Sequence, residues 1–270
     1  MVTTCLAQSS SLSAQSNDTL PVRVQARLAM KIVVLGAVIG FFFLLAGCQV
    51  APPLPLVGNP FAPADPPRPA VGDTYVYQLS DGYGNQSKLG QISYRIDKID
   101  ADRTVVSVTP GTPRAGIART EIYSNDGNWL RHPLVNHYAL VDYEFAPAFP
   151  AYVFPLEPGK SWSMRVDAAN PEKGRRSVRV DGGVLGAERV RVPAGEFDTI
   201  KIRRDVYPGD HPAETHITEI DWYAPALGRT VRMVSDSMWT DGSCDEMSCT
   251  PDYRGEWTIY ELVAYPPPAR

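Results

Sequence analysis

Residues 177–204 read SVRVDGGVLGAERVRVPAGEFDTIKIRR, and their alternation decides the fold class. Val178 and Val180, Val190 and Val192, and Ile200 and Ile202 fall at every second position. Between or beside them stand Ser177 and Arg179, Arg189 and Arg191, and Lys201 and Arg203. Successive side chains of a strand point to opposite faces, so this pattern predicts one aliphatic stripe turned inward and one basic stripe turned outward. Asp181-Gly182-Gly183 and Pro193-Ala194-Gly195 are turn signals, which divide the stretch into strands over Arg175–Asp181, Glu188–Val192 and Thr199–Tyr207.

The same grammar extends in both directions. Thr74–Ser80, Lys88–Ile99, Thr104–Thr109, Ile117–Ser124 and Trp162–Asp167 read as strands on one side, and Glu214–Tyr223, Thr230–Trp239 and Glu256–Tyr265 on the other. Short strands punctuated by Gly and Pro turns predict an all-β fold, an antiparallel meander forming a sandwich or open barrel. Residues 71–265 are long enough for one such domain, with residues 266–270 as a tail. Residues 131–158, RHPLVNHYALVDYEFAPAFPAYVFPLEP, are aromatic and proline-rich and read as a long connection folding over one end or edge of the sheet. Ahead of the domain, residues 49–70 hold eight prolines and read as an extended, semi-rigid tether.

The N-terminal segment has a different character. An apolar run, Ile32–Ala46, follows Arg23, Arg27 and Lys31 and stops at Gly47-Cys48. A basic region, an apolar core and small residues make a secretory signal, and the run is shorter than the ~20 residues a membrane span needs. Leu45-Ala46-Gly47-Cys48 resembles the processing site of bacterial lipoproteins. That resemblance implies cleavage before Cys48, diacylation of its thiol and acylation of the new amino terminus. Residues 30–47 would then be the signal peptide and residues 48–70 the acylated linker. Residues 1–29 read as an upstream extension ahead of a true start at Met30, or as a disordered N-region. Two or more acyl chains anchor a protein stably where one does not. Gln49 stands where the enteric pattern places an Asp to retain lipoproteins in the inner membrane, so the resemblance points to the outer membrane, with the domain facing the periplasm.

Cysteine usage agrees with an oxidising compartment. Cys5 falls in the leader and Cys48 in the processing site, which leaves Cys244 and Cys249 in DGSCDEMSCTPD. Two cysteines there are expected to pair, and closing so short a loop is worth about 2 kcal/mol in the chain-entropy model. Asp241, Asp245, Glu246 and Asp252 surround the pair, but no second Cys pair or histidine pair completes a metal site. The whole chain carries a formal net charge of −4, and residues 1–47 contribute three basic residues and one acidic one. The remainder is therefore at −6, which argues against a general nucleic-acid binder.

VPAGEFDTIKIRR (192–204) and WYAPALGRTVRM (222–233) resemble a pattern in uncharacterised bacterial secreted and lipoprotein β-domains. There a Val-Pro-Ala-Gly-x-Phe turn leads a strand, and a Trp-Tyr-Ala-Pro-x-x-Gly turn follows. The resemblance implies an antiparallel β fold and brings no catalytic residues. Pro193, Gly195, Pro225 and Gly228 are turn chemistry in either reading.

No motif points to a reaction or a cofactor. Gly159-Lys160-Ser161 ends like a phosphate-binding loop, but Phe154 stands where the first glycine belongs. The sequence has no G-x-S-x-G elbow and no H-E-x-x-H. His132 and His137, and His211 and His216, share an offset that puts strand residues on opposite faces. Asp210, His211, Glu214 and His216 form a polar turn, with a divalent-cation site as the sharper alternative. The basic stripe of Arg179, Arg189, Arg191, Lys201 and Arg203 has two readings. One is an anion-binding face for lipid, lipopolysaccharide or acidic glycan. The other is cross-strand ion pairing, with Glu219 and Asp221 placed to neutralise Lys201 and Arg203. Tyr75, Tyr77, Trp222, Tyr223, Trp239, Trp257 and Tyr260 read as core, or as the lining of a cavity for a lipid or sugar.

These readings converge on an envelope lipoprotein whose non-catalytic β domain binds an amphiphile or envelope polymer. A structural or protein-interaction scaffold is the alternative, and an unrecognised hydrolase the third. The expected partners are the membrane, through Cys48, and a lipid, glycan or envelope protein. Cys48→Ala is expected to abolish lipidation and leave the chain unprocessed or released. Fractionation that finds its membrane partitioning unchanged refutes the anchor.

Overall fold

Half-buried alternation commits the chain to strands, and the computed structural model has twelve of them among its described residues. It describes residues 61–136, 139–170, 174–209, 213–241 and 253–266. Cys48, Cys244, Cys249, the leader and the last four residues lie outside the described residues. The strands are β1 (Thr74–Asp81), β2 (Lys88–Ile99), β3 (Arg103–Pro110), β4 (Arg119–Ser124), β5 (Trp129–Asn136) and β6 (Ala139–Phe149). Then come β7 (Ser161–Asn170), β8 (Gly174–Val192), β9 (Gly195–Tyr207), β10 (Ala213–Ala224), β11 (Arg229–Asp241) and β12 (Tyr253–Ala264). Each pairs antiparallel with its neighbours in the chain, and β1 pairs with β12, so the expected meander closes into a barrel. The ring has no free edge, which removes the templating hazard of an open sheet.

The aliphatic stripe faces inward as its alternation predicts. Val178, Val180, Val190, Val192, Ile200 and Ile202 are all buried, each such side chain contributing about 1.5–3 kcal/mol relative to exposure. Exposed positions carry ion pairs such as Arg95–Asp97, Arg189–Asp198 and Arg203–Asp205. A lipid-facing barrel would present an apolar band there instead.

Three segments differ from the sequence reading. Most of 131–158 is not a connection but β5 and β6. Val141, Tyr143 and Phe145 point inward between Leu140, Asp142 and Glu144, an ordinary strand alternation. Pro133 and Pro147 disguise it, because proline argues against a strand, and irregular register between Trp129 and Arg131 breaks the period at the start. The part after Phe149 does connect, and it folds inward, with Ala151 and Leu156 fully buried.

The described end of the expected tether, residues 61–70, does not stand clear of the barrel. Ala64 is buried and forms a two-way backbone bridge with Leu156, at 3.1 and 2.9 Å. Pro67 packs so closely that a Cβ at Gly127 or Gly228 would lie 3.2 Å from it. An apolar Phe61-Ala-Pro-Ala64 segment gains more by docking on the barrel than a purely solvated stalk would.

Finally, Asp181-Gly182-Gly183 does not turn, and β8 runs through it as one strand of 19 residues. Gly182 sits directly opposite Trp162 on β7. A Cβ on Gly182 would lie 2.1 Å from Trp162 Cε2, so the glycine leaves room for the indole to lie across the strand. Trp162 Nε1 donates to Pro150 O at 3.0 Å, fixing the ring and the connection after β6 together. Gly82 and Trp257 repeat the device, with a Cβ-to-ring approach of 2.3 Å. Gly182→Ala is therefore expected to displace Trp162 and cost about 1–3 kcal/mol. Urea unfolding and the tryptophan emission maximum check this, and an unchanged midpoint and spectrum refute it.

Candidate functional site

The inward face of β9 continues past its aliphatic residues. Ile200, Ile202, Arg204 and Val206 are all buried at alternate positions, so the same parity that buries the isoleucines carries an arginine into the barrel. Arg204 is 1% exposed. Such a charge needs partners, and β10 supplies them. Glu219 is in register with Arg204, and Asp221 follows on the same face. Arg204 Nη2 lies 3.0 Å from Glu219 Oε2, and Nη1 lies 2.8 Å from Asp221 Oδ2. Arg204 Nη1 also donates to Ala151 O at 3.2 Å. The Tyr152 hydroxyl donates to Asp221 Oδ2 at 2.8 Å and lies 3.0 Å from Thr230 Oγ1.

This corrects the expected role of Glu219 and Asp221. They face the interior, and the residues beside Lys201 and Arg203 on β10 are Trp222 and Ile220. Lys201 instead pairs with Glu188 at 3.1 Å and Arg203 with Asp205 at 2.8 Å. Arg179 pairs with Asp181 at 3.2 Å, Arg189 with Asp198 at 2.7 Å, and Arg191 with Glu196. Every residue of the basic stripe thus has a carboxylate within ion-pair distance, across strands for Arg189, Arg191 and Lys201 but along the same strand for Arg179 and Arg203.

A second interior cluster centres on Glu121 of β4, which is 0% exposed. Arg119 Nη2 approaches its Oε1 at 2.6 Å, His132 Nδ1 lies 3.0 Å from Oε2, and the Tyr123 hydroxyl donates to Oε2. Burial alone would raise the carboxyl. His132, Arg119 and Tyr123 outweigh burial and hold it down to about 2, against an ordinary 4.5. His132 stacks on Trp129 with ring centroids 3.9 Å apart, and Trp129 on Phe149 at 4.5 Å. The break in register at the start of β5 is what lets Trp129 and His132, three residues apart, share a face.

Arg229, the first residue of β11, completes the set. Its guanidinium lies 5.0 Å from the Tyr75 ring centroid and 5.4 Å from that of Tyr94. Its Nε donates to the Tyr77 hydroxyl at 3.3 Å, and that hydroxyl donates to Thr230 O at 2.7 Å. Among the described residues no carboxylate lies within ion-pair distance of Arg229, whereas Arg204 holds two.

These side chains surround a cavity of about 120 Å³, whose walls include Tyr77, Tyr94, Tyr152, Tyr223, Arg204 and Arg229. A smaller space of about 70 Å³ shares Tyr123, Gly228 and Arg229 with it and is bounded by Pro67 and Pro69. A third, about 410 Å³, is lined by Ile122, Arg131, Glu144, Asp167 and Arg175 among others. It is larger, but it does not bring together the interior charges.

Of the other residues singled out in the sequence, Tyr75, Tyr77, Trp222 and Tyr223 are buried and Tyr260 half-buried. Trp257 lies across Gly82, and Trp239 stacks on Tyr253 with centroids 4.3 Å apart. His216 stacks on Tyr207 and lies 3.0 Å from Asp205. The side chains of Asp210, His211 and Glu214, and residue His137, lie outside the described residues. Arg204, Arg229 and Glu121 were not singled out. The parity of β9 was a signal for Arg204, and none was available for the meeting of Arg229 with Tyr77.

No family model matches the chain, and no curated protein matches its sequence. Among solved structures, it is similar to a Bacteroides fragilis protein described as exported and of YmcC-like fold. That match has 15% identity and a TM-score of 0.43, and covers 77% of this chain and all of the other. A Parabacteroides distasonis protein described as a lipoprotein matches at 13% identity and a TM-score of 0.43, covering 76% and 100%. The hypothetical lipoprotein YmcC of Escherichia coli matches at 12% and 0.35, covering 73% and 85%. These values are too low to argue from.

The Glu121 cluster sets an acid limit on stability. A carboxyl held below its unfolded value contributes stability that is fully present above about pH 4.5 and is lost as pH falls toward 2. That contribution is roughly 3 kcal/mol. Glu121→Gln is expected to lower stability at pH 7 and to flatten the fall between pH 5 and 3. Urea unfolding across that range checks this, and a variant with the same acid slope as the parent refutes it.

Proposed function

We propose that this chain is a cell-envelope lipoprotein, acylated at Cys48, whose β-barrel binds a small ligand in its interior cavity. The run Ile32–Ala46 ending at Leu45-Ala46-Gly47-Cys48 supports the anchor. The single observation that carries the binding role is the space of about 120 Å³ among interior tyrosines, where the Arg229 guanidinium lies without a carboxylate partner among the described residues. Binding sites are concave, mostly apolar, and carry a few placed polar groups, and this cavity has that composition. Its size suits a small molecule, or the polar end of an amphiphile or glycan, rather than an acyl chain. The outer leaflet or the inner one, and the identity of any envelope partner, follow from the anchor and the ligand rather than from the barrel.

Native mass spectrometry of the detergent-extracted, acylated protein tests this reading. A non-covalent small molecule that co-purifies and is released on unfolding is the expected result. A mass that stays at the acylated chain alone, with no adduct regained on incubation with an envelope extract, overturns the binding role and favours the scaffold reading.

A further inference from the structure

The interior charges do not pair evenly. Glu121 is engaged by Arg119 and His132, and both Glu219 and Asp221 are engaged by Arg204. Arg229 is half-buried, and among the described residues its side chain has the Tyr77 hydroxyl and the faces of Tyr75 and Tyr94 as partners but no carboxylate. Guanidinium carries five N–H donors and does not deprotonate in proteins, so Arg229 presents a fixed cation with spare donors to the cavity. A second observation points the same way. Tyr223 is 2% exposed, lines the same cavity, and its hydroxyl has no hydrogen-bond partner among the described residues. Asp221 Oδ1, on the cavity wall and equally buried, also lacks a partner. A buried polar atom without a partner costs free energy that a ligand can recover.

The cavity therefore offers two kinds of donor, one acceptor, and aromatic walls. We propose that it binds a ring-bearing carboxylate, with Arg229 and Tyr223 donating to the carboxylate and Asp221 Oδ1 accepting from a ring hydroxyl. Guanidinium matches carboxylate and phosphate alike in bidentate geometry, and of the two the singly charged carboxylate is the closer match to one guanidinium in a space of about 120 Å³. The ring follows from the aromatic walls, and the volume of about 120 Å³ limits the ligand to a single ring, since roughly 150 Å³ is what one benzene ring takes. A hydroxylated ring acid has two sources of the same chemistry, an aromatic acid or a uronic acid of an envelope glycan. The proposal rests on the binding role given above and specifies its ligand.

Isothermal titration of the acylated protein in detergent tests it, with 4-hydroxybenzoate, glucuronate and, as a neutral match for the first, 4-hydroxybenzamide. At least one of the acids is expected to bind. Binding of 4-hydroxybenzoate identifies an aromatic acid, and for it the amide should be at least tenfold weaker. Binding of glucuronate alone identifies a sugar acid. Arg229→Gln is expected to lose at least tenfold for whichever acid binds, while Arg95→Gln, an exposed residue paired with Asp97, binds as the parent. Should Arg229→Gln fail to fold, Tyr223→Phe keeps the ring and removes only the hydroxyl, with about a tenfold loss expected. Equal binding of acid and amide, parental affinity in Arg229→Gln or in Tyr223→Phe, or no binding of either acid overturns the proposal. A neutral molecule that co-purifies with the parent and with Arg229→Gln alike leaves the binding role standing and removes only this assignment of its ligand.

Discussion

A closed ring of twelve strands encloses more space than aliphatic side chains fill. Eight strands already give an interior that side chains just occupy, and the diameter grows with strand number. The rest of this structure answers that constraint. Long side chains reach inward from β4, β9 and β11, aromatic rings line the wall, and the connection after β6 turns into the barrel to contribute Ala151, Tyr152 and Leu156. Arg204 holds the arrangement together, since one guanidinium contacts Glu219, Asp221 and the Ala151 carbonyl. It thereby ties two strands to a segment far away in sequence. A buried ion pair of this kind adds little net stability over a well-packed apolar core, yet removing one member costs about 3–5 kcal/mol because its partners stay behind. Its contribution here is to fix which side chains meet.

The same arrangement explains why the cavity is polar on one side and not simply a packing fault. Tyr152 is shared between the Asp221 carboxylate and Thr230, and Tyr77 between Arg229 and the Thr230 carbonyl. Thr230 thus lies between an acidic and a basic end of the interior. Most of the groups that bound the space between them stand on strands, and Tyr152, on the connection after β6, is held by its hydrogen bonds to Asp221 and Thr230, which favours a preorganised site. Next to Arg229, the segment around Pro67 bounds the neighbouring small space, and it packs tightly on Gly228 and Gly127, where a Cβ would lie 3.2 Å from Pro67.

How much of this was legible in the sequence depends on the range of the interaction. Alternation in 177–204 placed six aliphatic residues correctly, because parity is a local property of a strand. Extending the same parity by two positions from Ile202 puts Arg204 inside, so that residue was legible in principle. Glu219 and Asp221 were read on a common face, but the face was assigned by charge matching to Lys201 and Arg203, and register decided otherwise. β5 and β6 were hidden by prolines within strands and by a break in the period. Asp181-Gly182-Gly183 looked like a turn because nothing local announces that Trp162 needs its opposite residue to lack a side chain. The meeting of Arg229 with Tyr77 spans 152 residues and exists only because the ring closes, and closure has no sequence signal.

That closure also orders events in time. β1 and β12 stand at opposite ends of the domain's sequence yet pair from Val76 with Ala264 to Asp81 with Thr258. Chains emerge N-terminus first, so β1 is made long before the strand that completes its outer edge. Neighbouring hairpins along the meander can form as they appear, since local contacts are quick to close. The seam must wait for the last strand, and until then β1 presents unpaired backbone groups of the kind that recruit other chains. The molecule is thus most open to misassembly during its final step, and a helper that shields β1 through that interval would act on the nascent chain while having no surface left to hold on the finished barrel.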